Sequence, residues 1–274
     1  MLMATEHLGA VGVGVTAPQF FRADDGKIYV VKFQNNQLGS RVLASEFLAV
    51  QFGEIMNLCF PPSGIIGINE QMLQESPSLM ELGVNPGRHF ASQYLEHTQY
   101  LGKHNLSKAV NVAEMAGVML FDHIFHNSDR TNNKKNLLIR REEAGYKIYA
   151  IDNSHLFGSG RWTLESVTHL ATKIRVYYRY SYGLLLRDRL SPEDFLPYLE
   201  KVTELSDEHI ETIVREIPEE WLPDEPERQG LIHYIKTRRD MVEDIWKILC
   251  KYIPRSRGGR RWLFGKAIKV SEKL

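Results

Sequence analysis

Residues 126–136 read HNSDRTNNKKN, a polar run that ends against Leu137, Leu138 and Ile139. Asp129 stands near its start, and Asn133 and Asn136 stand near its end. Sixteen residues beyond Asn136, Asp152 follows Tyr149-Ala150-Ile151. If residues 137–139 and 146–151 pair as a hairpin, a carboxylate, a carboxamide and a second carboxylate meet at one mouth. Phosphoryl transfer needs such a set. Magnesium takes oxygen ligands and keeps waters, so one carboxylate and one carboxamide suffice beside phosphates. A separate carboxylate orients the attacking hydroxyl and accepts its proton. Aspartate and asparagine also populate loops for turn reasons alone, so order and context must carry the reading.

A second constellation lies upstream. Lys32 sits among strand hydrophobes in Val30-Val31-Lys32-Phe33, and Glu46 follows fourteen residues later in Ala44-Ser45-Glu46-Phe47-Leu48. A strand lysine can grip the phosphates of a nucleotide while a helix glutamate holds it in place. The plainer alternatives are a wet edge-strand lysine and a solvated helix glutamate. Against the latter, Leu43, Phe47 and Val50 flank Glu46 with an apolar stripe.

The elements that must position these groups follow from the pattern. Residues 9–21, rich in glycine and valine, read as a first strand, and Asp24-Asp25-Gly26 predicts a hairpin turn into a second over residues 27–33. Apolar spacing predicts a helix over residues 41–56. Strands are expected at residues 65–68 and 89–95, with a loop between them carrying Pro77 and Pro86. Residues 106–125 leave almost no polar face and predict a buried helix. After the central hairpin, helices are expected at residues 164–174, 192–203, 207–216 and 225–252. Ser191 and Ser206 are placed as N-caps. A β-rich first part before a helical second part is an α+β arrangement.

Composition sets outer bounds. The 274 residues are 43% apolar and 25% charged, as in an ordinary globular protein. Thirty-four basic residues balance thirty-four acidic ones, so bulk charge argues for neither nucleic acid nor membrane. The exception is residues 251–269, with seven basic residues and no acid. That tail reads as a phosphate- or acid-binding segment or as a solvated terminus. Cys59 and Cys250 lack metal spacing, and so few cysteines fit a reducing compartment. No run approaches the ~20 apolar residues of a membrane span, and no signal peptide is evident. A cytoplasmic protein is expected.

These pieces resemble the HipA-like kinase family, whose motif style is related to that of the phosphatidylinositol kinases. The resemblance runs over about residues 9–246 and rests on DGKIYVVKF, VLASEFLAVQFGEIMNLCFPPS, FASQYL, NSDRTNNKKNLLI and IDN in that order. It implies a two-lobed protein-kinase-like fold with a small antiparallel-sheet N-lobe, one helix in that lobe and a mainly helical C-lobe. The implied division is residues 1–95, residues 96–252 and a basic tail over residues 253–274. It implies an ATP- and magnesium-dependent kinase acting on a Ser/Thr hydroxyl of a protein substrate.

Carried over by residue, Asp129 resembles the catalytic acid/base and Arg130 the basic residue beside it. Lys32 resembles the ATP-phosphate lysine, Glu46 its partner and Asp152 the metal-binding aspartate. Gln93, Tyr94 and Leu95 resemble the hinge that bonds adenine.

Two departures matter. The family's metal-binding asparagine lies five residues after the catalytic aspartate, where this chain has Lys134. Asn136 is preferred over Asn133 because it directly precedes the apolar strand. Gly9, Gly12 and Gly14 do not form GxGxxG, and Thr16 is the hydroxyl candidate in that loop. These departures keep a pseudokinase or nucleotide-binding module as an alternative, and a small-molecule or lipid-head-group kinase would share the site. Nucleic acid is not expected as a partner except through the basic tail. His123 and His126 are read as satisfied polar groups rather than metal ligands. The aromatic-basic run Arg175, Tyr177, Tyr178, Arg179, Tyr180, Tyr182 is read as packing of the helical part.

Overall fold

The computed structural model describes residues 1–254. The basic tail, read from the sequence as residues 253–274, therefore falls almost wholly outside the described residues.

Five strands build the N-terminal part: β1 (Leu2–Ala10), β2 (Gln19–Ala23), β3 (Ile28–Lys32), β4 (Ser63–Ile68) and β5 (Gly87–Gln93). They close into a barrel in the order β1-β2-β3-β5-β4. Most pairings are antiparallel, but β1 meets β4 in parallel through Leu2–Ile66 and Met3–Gly67. The small antiparallel sheet expected from the sequence is thus a closed barrel. Closure removes the exposed sheet edges.

Strand alternation decides which side chains leave the barrel. Tyr29 and Val31 point into its core, with Phe21, Ile66 and Ala91. The pleat therefore sends Val30 and Lys32 to the other face. Between β1 and β2 the glycine-valine stretch is a loop rather than a strand. Gly12 and Gly14 there adopt positive φ, at 78° and 102°, which glycine tolerates without steric cost.

The single expected helix of this part has company. Beside α1 (Arg41–Met56) stand α2 (Glu70–Gln74) and α3 (Pro77–Glu81). The Asn69 side chain caps α2 by accepting from Met72 N–H at 2.8 Å. Pro77 opens α3, where its missing N–H costs nothing. Proline thus marks a helix start here, not only a loop.

After a short strand β6 (Gln99–Tyr100), the helical part begins with α4 (Met115–Ile124). The expected helix over residues 106–125 is shorter because Asn111 holds its first half along the hairpin. The Asn111 carboxamide both donates to and accepts from the backbone of Ile148, at 3.0 and 2.8 Å. α5 (Ser128–Asn132) precedes the hairpin β7 (Leu137–Glu142) and β8 (Gly145–Ala150). The remaining helices are α6 (Leu164–Ala171), α7 (Tyr180–Asp188), α8 (Leu196–Thr203), α9 (Asp207–Arg215), α10 (Glu225–Asp240) and α11 (Val242–Cys250). The expected helix over residues 225–252 breaks at Met241, and α7 was not anticipated. Ser206 caps α9 as expected, its hydroxyl accepting from His209 N–H at 3.1 Å. Among the described residues, no helix is long and apolar enough to cross a membrane.

One hydrophobic core joins α4, α6, α7, α8, α9, α10 and α11 to α1, through Leu43, Leu48 and Phe52 among others. Around it lies a knot of buried polar groups. Arg238 is fully buried and, instead of a carboxylate, finds backbone carbonyls: Ile124 at 3.0 Å, His123 at 2.7 Å and Lys173 at 2.6 Å. His123 and His126 sit beside it. His123 bonds the Met119 carbonyl at 2.6 Å, and His126 approaches the carbonyls of Leu170 and Lys173 at 3.2 and 3.0 Å. These contacts match the expectation of satisfied histidines.

Two outcomes follow. Arg238→Met removes the donors and strands several carbonyls, so unfolding free energy from urea titration should fall by about 3 kcal/mol or more. Burial, with Arg238 adding to it, pushes His123 down to about 4 and His126 down to about 3. The unfolded chain then takes up protons first, so stability is complete above about pH 6.5 and lost as pH falls toward 4. Unfolding free energy from urea titration at fixed salt should drop by at least about 3 kcal/mol between pH 7 and pH 4.

Candidate active site

A cavity of about 1140 Å³ runs from the β1–β2 loop past β5 to the turn after β8. Lys32, Glu46, Asp129, Asn136 and Asp152 all line it. So do Thr16, Asn133, Gln93, Tyr94 and Leu95. Of the eleven residues singled out from the sequence, only Arg130 is missing from its wall.

Charge assembles the inner end. The Lys32 ammonium donates to the Glu46 carboxylate and to Asp152 Oδ1, the latter at 2.8 Å. Burial alone would push Lys32 down, but the Asp152 and Glu46 carboxylates hold it above the ordinary lysine range. Burial would likewise push Asp152 up. The Lys32 ammonium, then the hydroxyl and N–H of Ser154, hold it far below the usual carboxylate range. Ser154 donates from Oγ at 2.5 Å and from its backbone N–H at 3.2 Å, both to Asp152 Oδ1. The backbone of Asp152 has a positive φ of 61°, a strained state that persists where its surroundings over-determine it. Glu46 helps do so, accepting from Asn153 N–H at 3.2 Å.

A second cluster lies along the polar loop. Asn136 Nδ2 donates to Asp129 Oδ2 at 2.6 Å, and Asn133 Nδ2 donates to Asn136 Oδ1 at 3.1 Å. The loop that looked two residues too long coils as α5 and a 3-10 turn over Lys134–Asn136. Coiling uses up the extra length and returns Asn136 to Asp129. The donors Asp152 and Asn136 offer carboxylate and carboxamide oxygens beside a positively charged lysine. That chemistry fits a hard divalent cation accompanied by phosphate oxygens.

Arg130 lies behind the wall rather than in it. It is fully buried. Its Nε donates to Asp122 Oδ2 at 2.9 Å, and its other nitrogens donate to the Ile151 carbonyl at 2.5 Å and to Asn153 Oδ1. The catalytic role expected for Arg130 is therefore a positioning role. It ties the loop of Asp129 to the turn of Asp152. Asp122 also accepts from Asn127 at 3.1 Å and from the Tyr182 hydroxyl. Sequence reasoning missed Ser154, although its place two residues after Asp152 was a signal. Lys135, on the cavity wall, was passed over as part of a polar loop.

Comparison with known proteins bears on the family and the fold. The model of the HipA-like kinase family matches residues 5–247. A proinflammatory kinase of Helicobacter pylori, CtkA, shares the fold with a TM-score of 0.58 at 11% identity, over 91% of this chain and 97% of that one. Hydra Fam20, solved with sugar, gives a TM-score of 0.52 at 14% identity, over 92% and 88%. The Golgi casein kinase, solved with Mn/ADP, gives 0.50 at 12% identity, over 94% and 73%. No curated protein sequence matches.

The Arg130–Asp122 pair should show its positioning role in stability. Truncating one partner of a buried pair leaves the other charged and alone, at about 3–5 kcal/mol. Asp122→Ala should lower unfolding free energy by that amount in urea titration. The cost would be well under about 1 kcal/mol if the pair were solvated like a surface salt bridge.

Proposed function

The chain belongs to the HipA-like kinase family, and on that premise we propose that it moves the γ-phosphoryl group of ATP, with Mg2+, to a Ser/Thr hydroxyl of a protein. One observation carries the reading. A strand lysine, a helix glutamate, a loop aspartate with its asparagine and a strained aspartate converge on a single cavity.

The residues divide the work. Leu95 offers a hinge donor: the Gln93 and Tyr94 N–H groups already donate to Pro62 and Ile28 carbonyls at 2.8 Å. Among the described residues no backbone acceptor meets the Leu95 N–H, which leaves it for an adenine nitrogen. Lys32 would grip the inner phosphates, with Glu46 holding it. Thr16 and the β1–β2 loop would cover them. Asp152 and Asn136 would hold Mg2+, which would supply neutralising charge beside the phosphates. Asp129 would orient the acceptor hydroxyl and take its proton. The acceptor O–P bond forms as the bond from the γ-phosphorus to the ADP oxygen breaks. The free thiols, Cys59 buried and Cys250 half-buried, support work in the reducing cytoplasm.

The test is ATP consumption with magnesium. Asp129→Ala should lose at least about 100-fold in turnover while still binding nucleotide. Asp152→Ala should lose turnover together with the magnesium dependence of nucleotide binding. Turnover that survives both substitutions would overturn the assignment of roles, and absence of nucleotide binding by the native chain would overturn the reading itself.

A further inference from the structure

The aromatic-basic run between α6 and α7 was expected to pack inside the helical part, and the structure divides it. Tyr182 is fully buried and Tyr177 is half-buried, bonded to His126 at 2.9 Å. Tyr178 and Tyr180, by contrast, are 53% and 54% exposed, and Arg175 and Arg179 are exposed beside them. This segment lies against the loop of Asp129. Thr131, two residues past Asp129, donates its hydroxyl to the Arg179 carbonyl at 2.9 Å. Lys134 sets its ammonium 4.5 Å from the centre of the Tyr180 ring. Lys135, next in the chain, lines the cavity that Asp129 lines.

Lys134, Lys135, Arg175 and Arg179 are exposed cations of this surface. Residues 130–141 and 166–187 contain nine basic residues and no acid, in a chain whose charges balance as a whole. Three of the nine are paired, Arg130 with Asp122, Arg140 with Glu142 and Arg187 with Asp188. Among the described residues, no carboxylate pairs with Lys134, Lys135, Arg175 or Arg179. Bare cations on the acceptor side of a catalytic carboxylate attract an anionic partner and repel a cationic one. Exposed tyrosines between them add contact area to an extended chain.

We infer that this face receives the phosphate acceptor as an acidic peptide segment, its target hydroxyl flanked by Asp, Glu or phosphorylated residues. The inference rests on the kinase reading above and names its substrate class. The hydroxyl enters past Lys135, gives its proton to Asp129 and takes the phosphoryl group as ADP leaves. The flanking acids lie on Lys134, Arg175 and Arg179.

The test uses two serine peptides of equal length, one with aspartate flanks and one with arginine flanks. Binding to the Asp129→Ala chain is read by fluorescence anisotropy, and phosphorylation by the native chain by peptide mass. The acidic peptide should bind and react at least tenfold better, with the advantage shrinking as salt rises. Arg175→Glu/Arg179→Glu should erase that advantage while peptide-free ATP consumption stays within twofold of native. Equal handling of both peptides, with ATP still consumed, would overturn the acidic acceptor and leave the kinase standing. So would a preference for the arginine peptide, or an unstructured RNA that binds this face and displaces the acidic peptide while peptides alone show no preference.

Discussion

The buried pair between Arg130 and Asp122 is the interaction on which the site depends. Asp122 comes from the helix before the polar loop, and Arg130 follows Asp129 directly. From that one guanidinium, bonds reach Asp122, the backbone of Ile151 and the side chain of Asn153. The loop of Asp129 and the turn of Asp152 are thereby fixed to each other and to α4. Two charges so deeply buried carry a large desolvation cost that only good geometry offsets. Here five hydrogen bonds, the pair's own and those to Ile151, Asn153, Asn127 and Tyr182, supply that geometry. Catalysis by positioned groups needs this rigidity, because small displacements of the reacting atoms are expensive.

The second constraint concerns α1, which carries Glu46. It follows the first three strands in sequence, yet its packing belongs to the helical core. Arg41 at its start pairs with Glu227 of α10, at 3.0 Å through Nε. Ser45 accepts from the Trp162 indole at 3.0 Å, and Lys201 of α8 donates to the Met56 carbonyl at its end at 3.2 Å. Anchored at both ends and its middle, α1 keeps Glu46 fixed relative to Asp152. The barrel then delivers Lys32 to a pair of carboxylates that the helical part has already placed. The Lys32 ion pairs join the two hydrophobic cores at the cavity. A second junction lies on the surface, where Arg88 pairs with Glu220 and its carbonyl accepts from Trp221 at 3.0 Å.

Much of this was legible because it depends on local pattern. Strand hydrophobes on both sides of Lys32 marked its strand, and an apolar stripe beside Glu46 marked an inward helix. The hairpin around Asp152 followed from two short β runs and a turn. What escaped was set by contacts distant in sequence. Asn111 shortens α4 by bonding Ile148, thirty-seven residues away. β1 closes the barrel on β4 through only two residue pairs, too few to leave a sequence signal. α7 carries exposed and buried tyrosines on one short helix, so its apolar spacing is weak. Arg130 shows the same limit at the site. Its neighbour Asp129 made a catalytic role natural, and only the three-dimensional path of α4 reveals Asp122 beneath it.

The displaced asparagine shows what kind of constraint a motif expresses. Read as spacing, Lys134 in the asparagine's place weakens the likeness to a working site. Read as geometry, the requirement is that a carboxamide stand within hydrogen-bond reach of the loop carboxylate and at the mouth of the hairpin. A helical turn absorbs residues without moving its ends far apart, since each adds only about 1.5 Å of rise. Two additional residues coiled into α5 and the following turn therefore leave Asn136 at 2.6 Å from Asp129. Lys134 and Lys135 stand exposed in that coiled stretch, just before Asn136. The same stretch that obscures the motif thus also carries two of the exposed cations of the face proposed for the acidic acceptor.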